Sequence, residues 1–112
     1  MTSLQQRNAK HREADERLSA EQVNALHTEI PEWELFEQDG MPRIRRDFEF
    51  KNFAQALDFT NQVGALAEEQ DHHPQITLEW GRVSVEWWTH TVKGLSENDF
   101  ILAAKTDALL TK

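Results

Sequence analysis

The chain has 112 residues, with 12 Lys and Arg against 20 Asp and Glu, five His and no Cys. That length is typical of one small domain, and a net charge of −8 argues against nucleic acid as a partner, because phosphate binding depends on clustered Lys and Arg. Without cysteine there is no disulfide, thiolate metal site or thiol nucleophile. The sequence has no apolar run of membrane-spanning length and no apolar signal segment, so we expect a cytoplasmic protein with no membrane partner.

The N-terminal region differs in composition from the rest of the chain. Residues 1–17 are polar and charged with almost nothing to bury, which predicts a flexible arm or a loosely attached helix. The folded domain is expected to span residues 18–112. Between Leu18 and Pro42 there are six acidic side chains and no Lys or Arg, a pattern that favours a solvated acidic face.

A short helix is predicted at the start of the domain. Ser19 and Gln22 have the spacing of a capping box, in which each side chain bonds to the backbone N–H of the other residue. The apolar residues that follow recur at helical spacing until Pro31 ends the pattern. They are Val23, Leu26 and Ile30.

Two strands and a long helix are predicted next. Apolar and polar residues alternate on both sides of the turn sequence Gln38-Asp39-Gly40, which is typical of a β-hairpin. Asn52 can then cap a helix that extends to about Glu69. Its apolar positions form one stripe, which must lie on a sheet or another helix.

The second half of the chain repeats this order. Alternation around Gly81 predicts a second hairpin, and Ser96 with Asp99 forms another capping pattern ahead of a helix over residues 100–110. That helix is apolar almost all round, so we expect cover on two sides, one of them from another subunit. The predicted fold is α+β, with an N-terminal helix, then strand–strand–helix twice, and a four-stranded antiparallel sheet with helices packed on one face.

Chemistry-bearing residues are concentrated at one predicted end of the sheet. His72 and His73 precede Pro74, which pushes the chain out of the helix and makes a helix-to-strand corner. Two adjacent imidazoles at such a corner leave the backbone in different directions. If the second hairpin is regular, the chain returns past the same end, and His90 then comes within reach of the same pocket.

Structural explanations compete for several of these residues. His11 and His27 lie in polar or helical surface contexts and are expected to be structural. Asp99 is explained by its capping box, and Glu68 by a surface position in the last helical turn. The tryptophans of the second hairpin, Trp80, Trp87 and Trp88, are first of all large apolar groups for a core or an interface.

Proton transfer is the chemistry that these residue types support. There is no Gly-rich phosphate loop, nucleophile elbow or His-Glu-x-x-His motif. Histidine gives and takes protons near neutral pH, so three imidazoles can supply the general acid and the base that elimination of water needs, without a cofactor. A zinc or iron site is the competing use of three His and a carboxylate, but adjacent His72 and His73 make awkward joint ligands.

The pattern of these residues resembles that of the pterin-4a-carbinolamine dehydratases. The residues that carry the resemblance are Glu68, His72-His73-Pro74, Trp80, Trp88-Thr89-His90 and Asp99. It extends from about Ile30-Pro31-Glu32-Trp33 to Ala103-Ala104 and is greatest to bacterial members that serve phenylalanine hydroxylase. Vertebrate members carry an aromatic residue where Ile76 stands here, so the two groups are expected to differ in pocket shape at that position.

The resemblance implies dehydration of 4a-hydroxytetrahydropterin to quinonoid dihydropterin, the step that recycles the pterin of aromatic amino acid hydroxylases. His72 and His90 would act as general acids toward the 4a-hydroxyl, each on one face of the ring, and His73 would bind the pterin and handle the N5 proton. Glu68 and Asp99 would orient the imidazoles and raise their basicity. The substrate-binding residues expected from the pattern are Trp33, which would stack on the pterin, with Pro74 and Trp80.

The resemblance also bears on partners. It implies a pterin substrate, no cofactor, an aromatic amino acid hydroxylase as a partner and a homodimer or homotetramer. The alternative function is a non-catalytic binding or regulatory partner of a hydroxylase or transcription factor, which the acidic segment and the apolar last helix would suit.

Overall fold

The computed structural model describes residues 3–7 and 16–111. Its elements follow the predicted order. They are α1 (Ala20–His27), β1 (Glu34–Gln38), β2 (Met41–Glu49), α2 (Phe53–Gln70), β3 (Gln75–Glu79), β4 (Arg82–Trp87) and α3 (Glu97–Ala108), with short 3₁₀ helices at Leu4–Gln6, His90–Val92 and Leu109–Thr111. The α+β class and the four-stranded antiparallel sheet are thus confirmed. No helix in these two ranges is long and apolar enough to cross a bilayer.

The predicted caps and turn are present. Ser19 and Gln22 bond reciprocally at the start of α1, and the Asn52 side chain accepts from the backbone N–H of Gln55 at 2.8 Å. Asp39 and Gly40 both have positive φ, 55° and 75°, which is the backbone of a two-residue turn that matches the strand twist. Helix α1 ends three residues earlier than the apolar pattern suggested, because the chain passes through tight turns before Pro31.

The sheet order is β1-β2-β4-β3, so the two hairpins join through their second strands. Alternate side chains of β2 and β4 form one buried apolar face, on which both long helices lie. Phe59 of α2 packs 4.7 Å from Phe48 between ring centroids, and Thr106 of α3 accepts from the Trp87 indole at 3.2 Å. The opposite face carries charged pairs such as Arg45–Glu34.

Helix α3 is covered in part by the N-terminal segment of the same chain. The 3₁₀ helix Leu4–Gln6 packs on it, and Leu4 is only 2% exposed. Lys105 donates to the backbone oxygen of Gln5 at 2.9 Å, and Arg7 pairs with Glu97 at 2.9 Å. The expectation that a second subunit supplies this cover is therefore not needed to explain the apolar helix.

The same contacts change the interpretation of the N-terminal arm. Residues 3–7 of the predicted arm are docked, since Leu4 has an apolar side chain to bury. Residues 16–17 of the predicted arm are described and exposed, whereas residues 1–2 and 8–15, which include His11, lie outside the described residues. The six acidic side chains between Leu18 and Pro42 are all exposed, as a solvated face requires.

The topology brings two segments to one end of the sheet. Because β3 and β4 are antiparallel, with Gln75 opposite Glu86, the residues just before β3 lie beside those just after β4. His72 and His73 belong to the first segment and His90 to the second.

Candidate active site

The end of α2 sends its two histidines in different directions. Asp71 adopts a left-handed conformation with φ of 51°, and the N–H of His72 bonds back to the Ala67 carbonyl at 3.1 Å. This turn places His72 inside the protein, at 5% exposure, whereas the His73 side chain is 47% exposed. Pro74 follows and starts the path into β3.

Asp99 holds His72 and caps α3 at the same time. One carboxylate oxygen, Oδ1, lies 2.7 Å from Nε2 of His72. The other, Oδ2, accepts from the backbone N–H of Ser96 at 2.9 Å and from the Thr89 hydroxyl at 2.8 Å. The side chain is fully buried, so these partners replace all of its water. The capping function is present, but it uses only one oxygen of the carboxylate.

The ring plane of His72 is set by Trp87. The two rings are nearly parallel, at 14°, with centroids 5.8 Å apart. The imidazole therefore has one nitrogen on a buried carboxylate and one face toward an indole. Such a group keeps its orientation without help from a bound ligand.

His73 forms a second histidine–carboxylate pair in a different environment. Its Nε2 lies 2.5 Å from Oε2 of Glu68, and the Glu68 side chain is 78% exposed. Water and salt reach this pair, so it contributes little to stability. The arrangement orients the His73 ring at the rim of the site.

His90 enters the site from the other segment. It begins the 3₁₀ turn His90–Val92, which is closed by backbone bonds between Thr89 and Gly94 and by a left-handed Lys93. The imidazole is exposed and contacts the ring of Trp88, with centroids 4.8 Å apart.

All three imidazoles line one cavity of about 200 Å³. Its walls are His72, His73, Trp88, Thr89, His90 and Thr91. The volume is below the roughly 300 Å³ at the lower end of typical small-molecule pockets. A larger groove lies between α1 and β1 in the described part of the chain and has no histidine in its wall, whereas this cavity places three imidazoles together.

Trp33 and Trp80 do not line this cavity. Trp33 is 1% exposed in the core, and its indole N–H lies 3.0 Å from the Asp107 carboxylate, so neither face is open to a ligand. Burial raises the pKa of Asp107 above its usual 3.8, although hydrogen bonds from Trp33 and Arg46 oppose the shift. Trp80 is 69% exposed in the β3–β4 turn, where a strand position was expected.

Two further outcomes concern residues around the site. His27, expected to be structural, lies with Nε2 2.6 Å from the backbone oxygen of Trp33 and away from the cavity. Thr89 and Trp88 are site residues that the sequence interpretation did not assign, although both belong to the Trp88-Thr89-His90 pattern. In the described part of the chain, no three His, Asp or Glu side chains are grouped as metal ligands.

Comparison with known proteins gives consistent results. The family model described as pterin 4 alpha carbinolamine dehydratase matches residues 16–109. A Nitrosococcus oceani protein provisionally named a pterin-4-alpha-carbinolamine dehydratase is 56% identical over 84% of this chain and 83% of its own length. A Saccharophagus degradans protein with the same provisional name is 49% identical over 97% of both chains.

Solved structures with this fold carry the same family description. A crystal structure from Brucella melitensis, described as a transcriptional coactivator/pterin dehydratase, has 34% identity and a TM-score of 0.76 over 84% of this chain and 98% of its own. A pterin dehydratase-like protein identified as a RuBisCO assembly factor in the alpha-carboxysome has 31% identity and a TM-score of 0.59 over 69% of this chain and 87% of its own. With the match of the family model over most of the sequence, these likenesses lead to one conclusion: the chain belongs to the pterin-4-alpha-carbinolamine dehydratase family.

Proposed function

We propose that the protein is a carbon–oxygen lyase that dehydrates 4a-hydroxytetrahydropterin, with His72, His73 and His90 as the proton-transfer groups. Membership of the family supports dehydratase activity in general. The observation that carries the assignment of residues is the single cavity lined by three imidazoles, two of which lie within 2.7 Å of a carboxylate oxygen.

The reaction breaks the C4a–O bond and forms a C4a=N5 double bond. A general acid protonates the 4a-hydroxyl, which leaves as water, and the proton on N5 passes to a base. His72 and His90 approach the cavity from different segments, which suits an acid on each face of the ring. His73 at the rim, held by Glu68, is suited to receive the N5 proton and return it to solvent.

Exchange of single histidines tests this proposal. His72→Gln and His90→Gln are each expected to lower kcat about 100-fold for the 4a-epimer whose hydroxyl they face, because general acid catalysis contributes that much. Loss of 4a-hydroxytetrahydropterin is followed by ultraviolet absorbance. His27→Gln is the matched control, since its imidazole contacts a backbone oxygen outside the cavity.

The expected pattern would be contradicted in either of two ways. One is that the wild-type protein does not accelerate the reaction. The other is that the wild type and the three variants all accelerate it equally. Thermal unfolding of each variant separates loss of chemistry from loss of fold.

The source of the substrate, the partner enzyme and the oligomeric state are further parts of the same proposal. The 4a-hydroxypterin would be produced by an aromatic amino acid hydroxylase, which makes that enzyme the candidate partner. A homodimer or homotetramer stays a prediction, and the exposed apolar side chains Phe53, Leu57 and Leu110 are where a second copy would find apolar surface. Light scattering of the purified protein measures that state directly.

A non-catalytic binding role is the second candidate. It is supported by the related structure described as a RuBisCO assembly factor, which has this fold and 31% identity. In that case His73→Ala or His90→Ala would leave partner binding and cellular function intact while removing any dehydration. Loss of both cellular function and dehydration in the same variants would favour the enzyme.

A further inference from the structure

A buried ion pair lies directly behind the wall of the cavity. Nη1 of Arg43 on β2 lies 3.0 Å from Oε1 of Glu86 on β4, and the two side chains are only 10% and 9% exposed. Replacement of such a pair by apolar groups is often neutral or stabilising, because desolvation offsets the Coulomb attraction. Stability alone therefore does not explain why two charges occupy this position.

The guanidinium of Arg43 stacks on Trp88. Its Cζ lies 3.7 Å from the centroid of the indole, within the range of a cation–π contact. Arg43 Nε and Trp88 Nε1 are both buried without a hydrogen-bond partner among the described residues. Because these two N–H groups are unsatisfied, the stack is stabilised by the cation–π contact and the ion pair and not by a complete set of hydrogen bonds.

Trp88 connects this stack to the site. It lines the cavity, and its ring lies 4.8 Å from the imidazole of His90. A carboxylate contacts His72 and another contacts His73. In the described part of the chain His90 has no such carboxylate, and its side chain contacts the Trp88 indole.

We propose that Arg43 and Glu86 are positioning residues for this site, which fix the Trp88 indole and through it the orientation of the His90 imidazole. Glu86 is thus a third carboxylate that orients a histidine of the site, and it acts indirectly, through Arg43 and Trp88. Neither Arg43 nor Glu86 lines the cavity, so the role is exerted through Trp88.

The test uses the double variant Arg43→Met/Glu86→Gln. Methionine and glutamine keep the approximate volume but remove both charges together, so that no buried ion is left alone. Arg45→Met is the matched control, since Arg45 is on the same strand, pairs with Glu34 at 3.0 Å and lies 4.9 Å over the Phe36 ring, away from the cavity.

The first readout does not depend on any reaction. Ring-proton chemical shifts of His90 report its distance and tilt from the Trp88 indole. We expect the ring-current shift to fall by at least about half in the double variant and to stay at the wild-type value in Arg45→Met, because the angle of stacking is lost only in the former.

The second readout is turnover, and its effect rests on the proposed function. We expect kcat for dehydration to fall about ten-fold in the double variant with little change in KM, because a misplaced catalytic group affects the chemical step. If the double variant loses the His90 ring shift while the wild type shows no dehydration, the proposed function is wrong and the positioning role stands.

An unchanged His90 ring shift in the folded double variant overturns the positioning role. Should the double variant not fold, Glu86→Gln replaces it, because the amide keeps the side-chain volume but removes the negative charge that holds the Arg43 guanidinium. Glu86→Gln is expected to change the His90 ring shift in the same direction by a smaller amount. An unchanged ring shift in this variant also overturns the positioning role.

Discussion

Replacement of Asp99 by asparagine separates its two functions. The carboxylate accepts from Ser96 and Thr89 through Oδ2 and contacts Nε2 of His72 through Oδ1. In Asp99→Asn the amide oxygen takes the Oδ2 position, because two donors point there, and the NH₂ group then faces His72. A neutral His72 must accept that hydrogen bond at Nε2, which moves its proton to Nδ1.

The magnitudes follow from the bonds kept and lost. The helix cap survives, and one charge-assisted contact with a buried imidazole becomes a neutral hydrogen bond, which costs about 2 kcal/mol of the free energy of unfolding. For a chain of this size that lowers Tm by about 5–10 °C. On the proposed function, loss of the carboxylate partner is expected to lower kcat/KM for dehydration about 100-fold, the upper range for a group that orients another residue of a site.

Three measurements check this prediction. Ultraviolet absorbance gives kcat/KM, thermal unfolding gives Tm, and ¹⁵N chemical shifts of the imidazole show which nitrogen of His72 carries the proton. Asp107→Asn is the matched control, because it makes the same change on the same helix beside Arg46 and Trp33, outside the cavity. An unaltered His72 tautomer with wild-type turnover in Asp99→Asn would refute the reasoning.

Two further predictions concern the N-terminus and pH. Leu4→Ala should lower the free energy of unfolding by about 2–3 kcal/mol, because Leu4 packs against α3 and is only 2% exposed. The control Gln5→Ala removes an exposed side chain and should change the free energy of unfolding by less than about 0.5 kcal/mol. Equal urea midpoints for the two variants would contradict the docking of this segment. Burial raises the folded-state pKa of Asp107 above 3.8, so its stability contribution is fully present below that pH and is lost as pH rises through the raised pKa. The stability of the wild type relative to Asp107→Asn should therefore fall as pH rises above about 3.8, and a relative stability that rises with pH in urea titrations would show the opposite shift.

The elements that short-range patterns specify were predictable. Ser19 and Asn52 mark helix starts because a cap is decided within four residues, and Asp39-Gly40 marks a hairpin because few residues accept two positive φ values. The approach of His90 to the His72-His73 corner was predictable for the same reason, since an antiparallel hairpin must return to its starting end.

The environment of residues that depend on partners distant in sequence was not predictable. Trp33 suits a ligand wall or a core equally well in an alternating strand, and only the position of Asp107, 74 residues away, places it in the core. Leu4 is followed by no apolar residue at helical or strand spacing, so no periodicity can reveal its burial. Arg43 and Glu86 read as ordinary polar-face residues, because their burial comes from Trp88 and from neighbouring strands.

The shared use of Asp99 affects how related sequences should be interpreted. A chain that abandoned the reaction would still need an acceptor oxygen there, from Asp or Asn, because the oxygen at the Oδ2 position closes the first turn of α3 whether or not an imidazole meets Oδ1. Retention of Asp99 in a relative is therefore evidence for an intact helix start and says little about turnover. On the proposed function the diagnostic position is His72, whose imidazole contacts the Asp99 carboxylate and caps no helix.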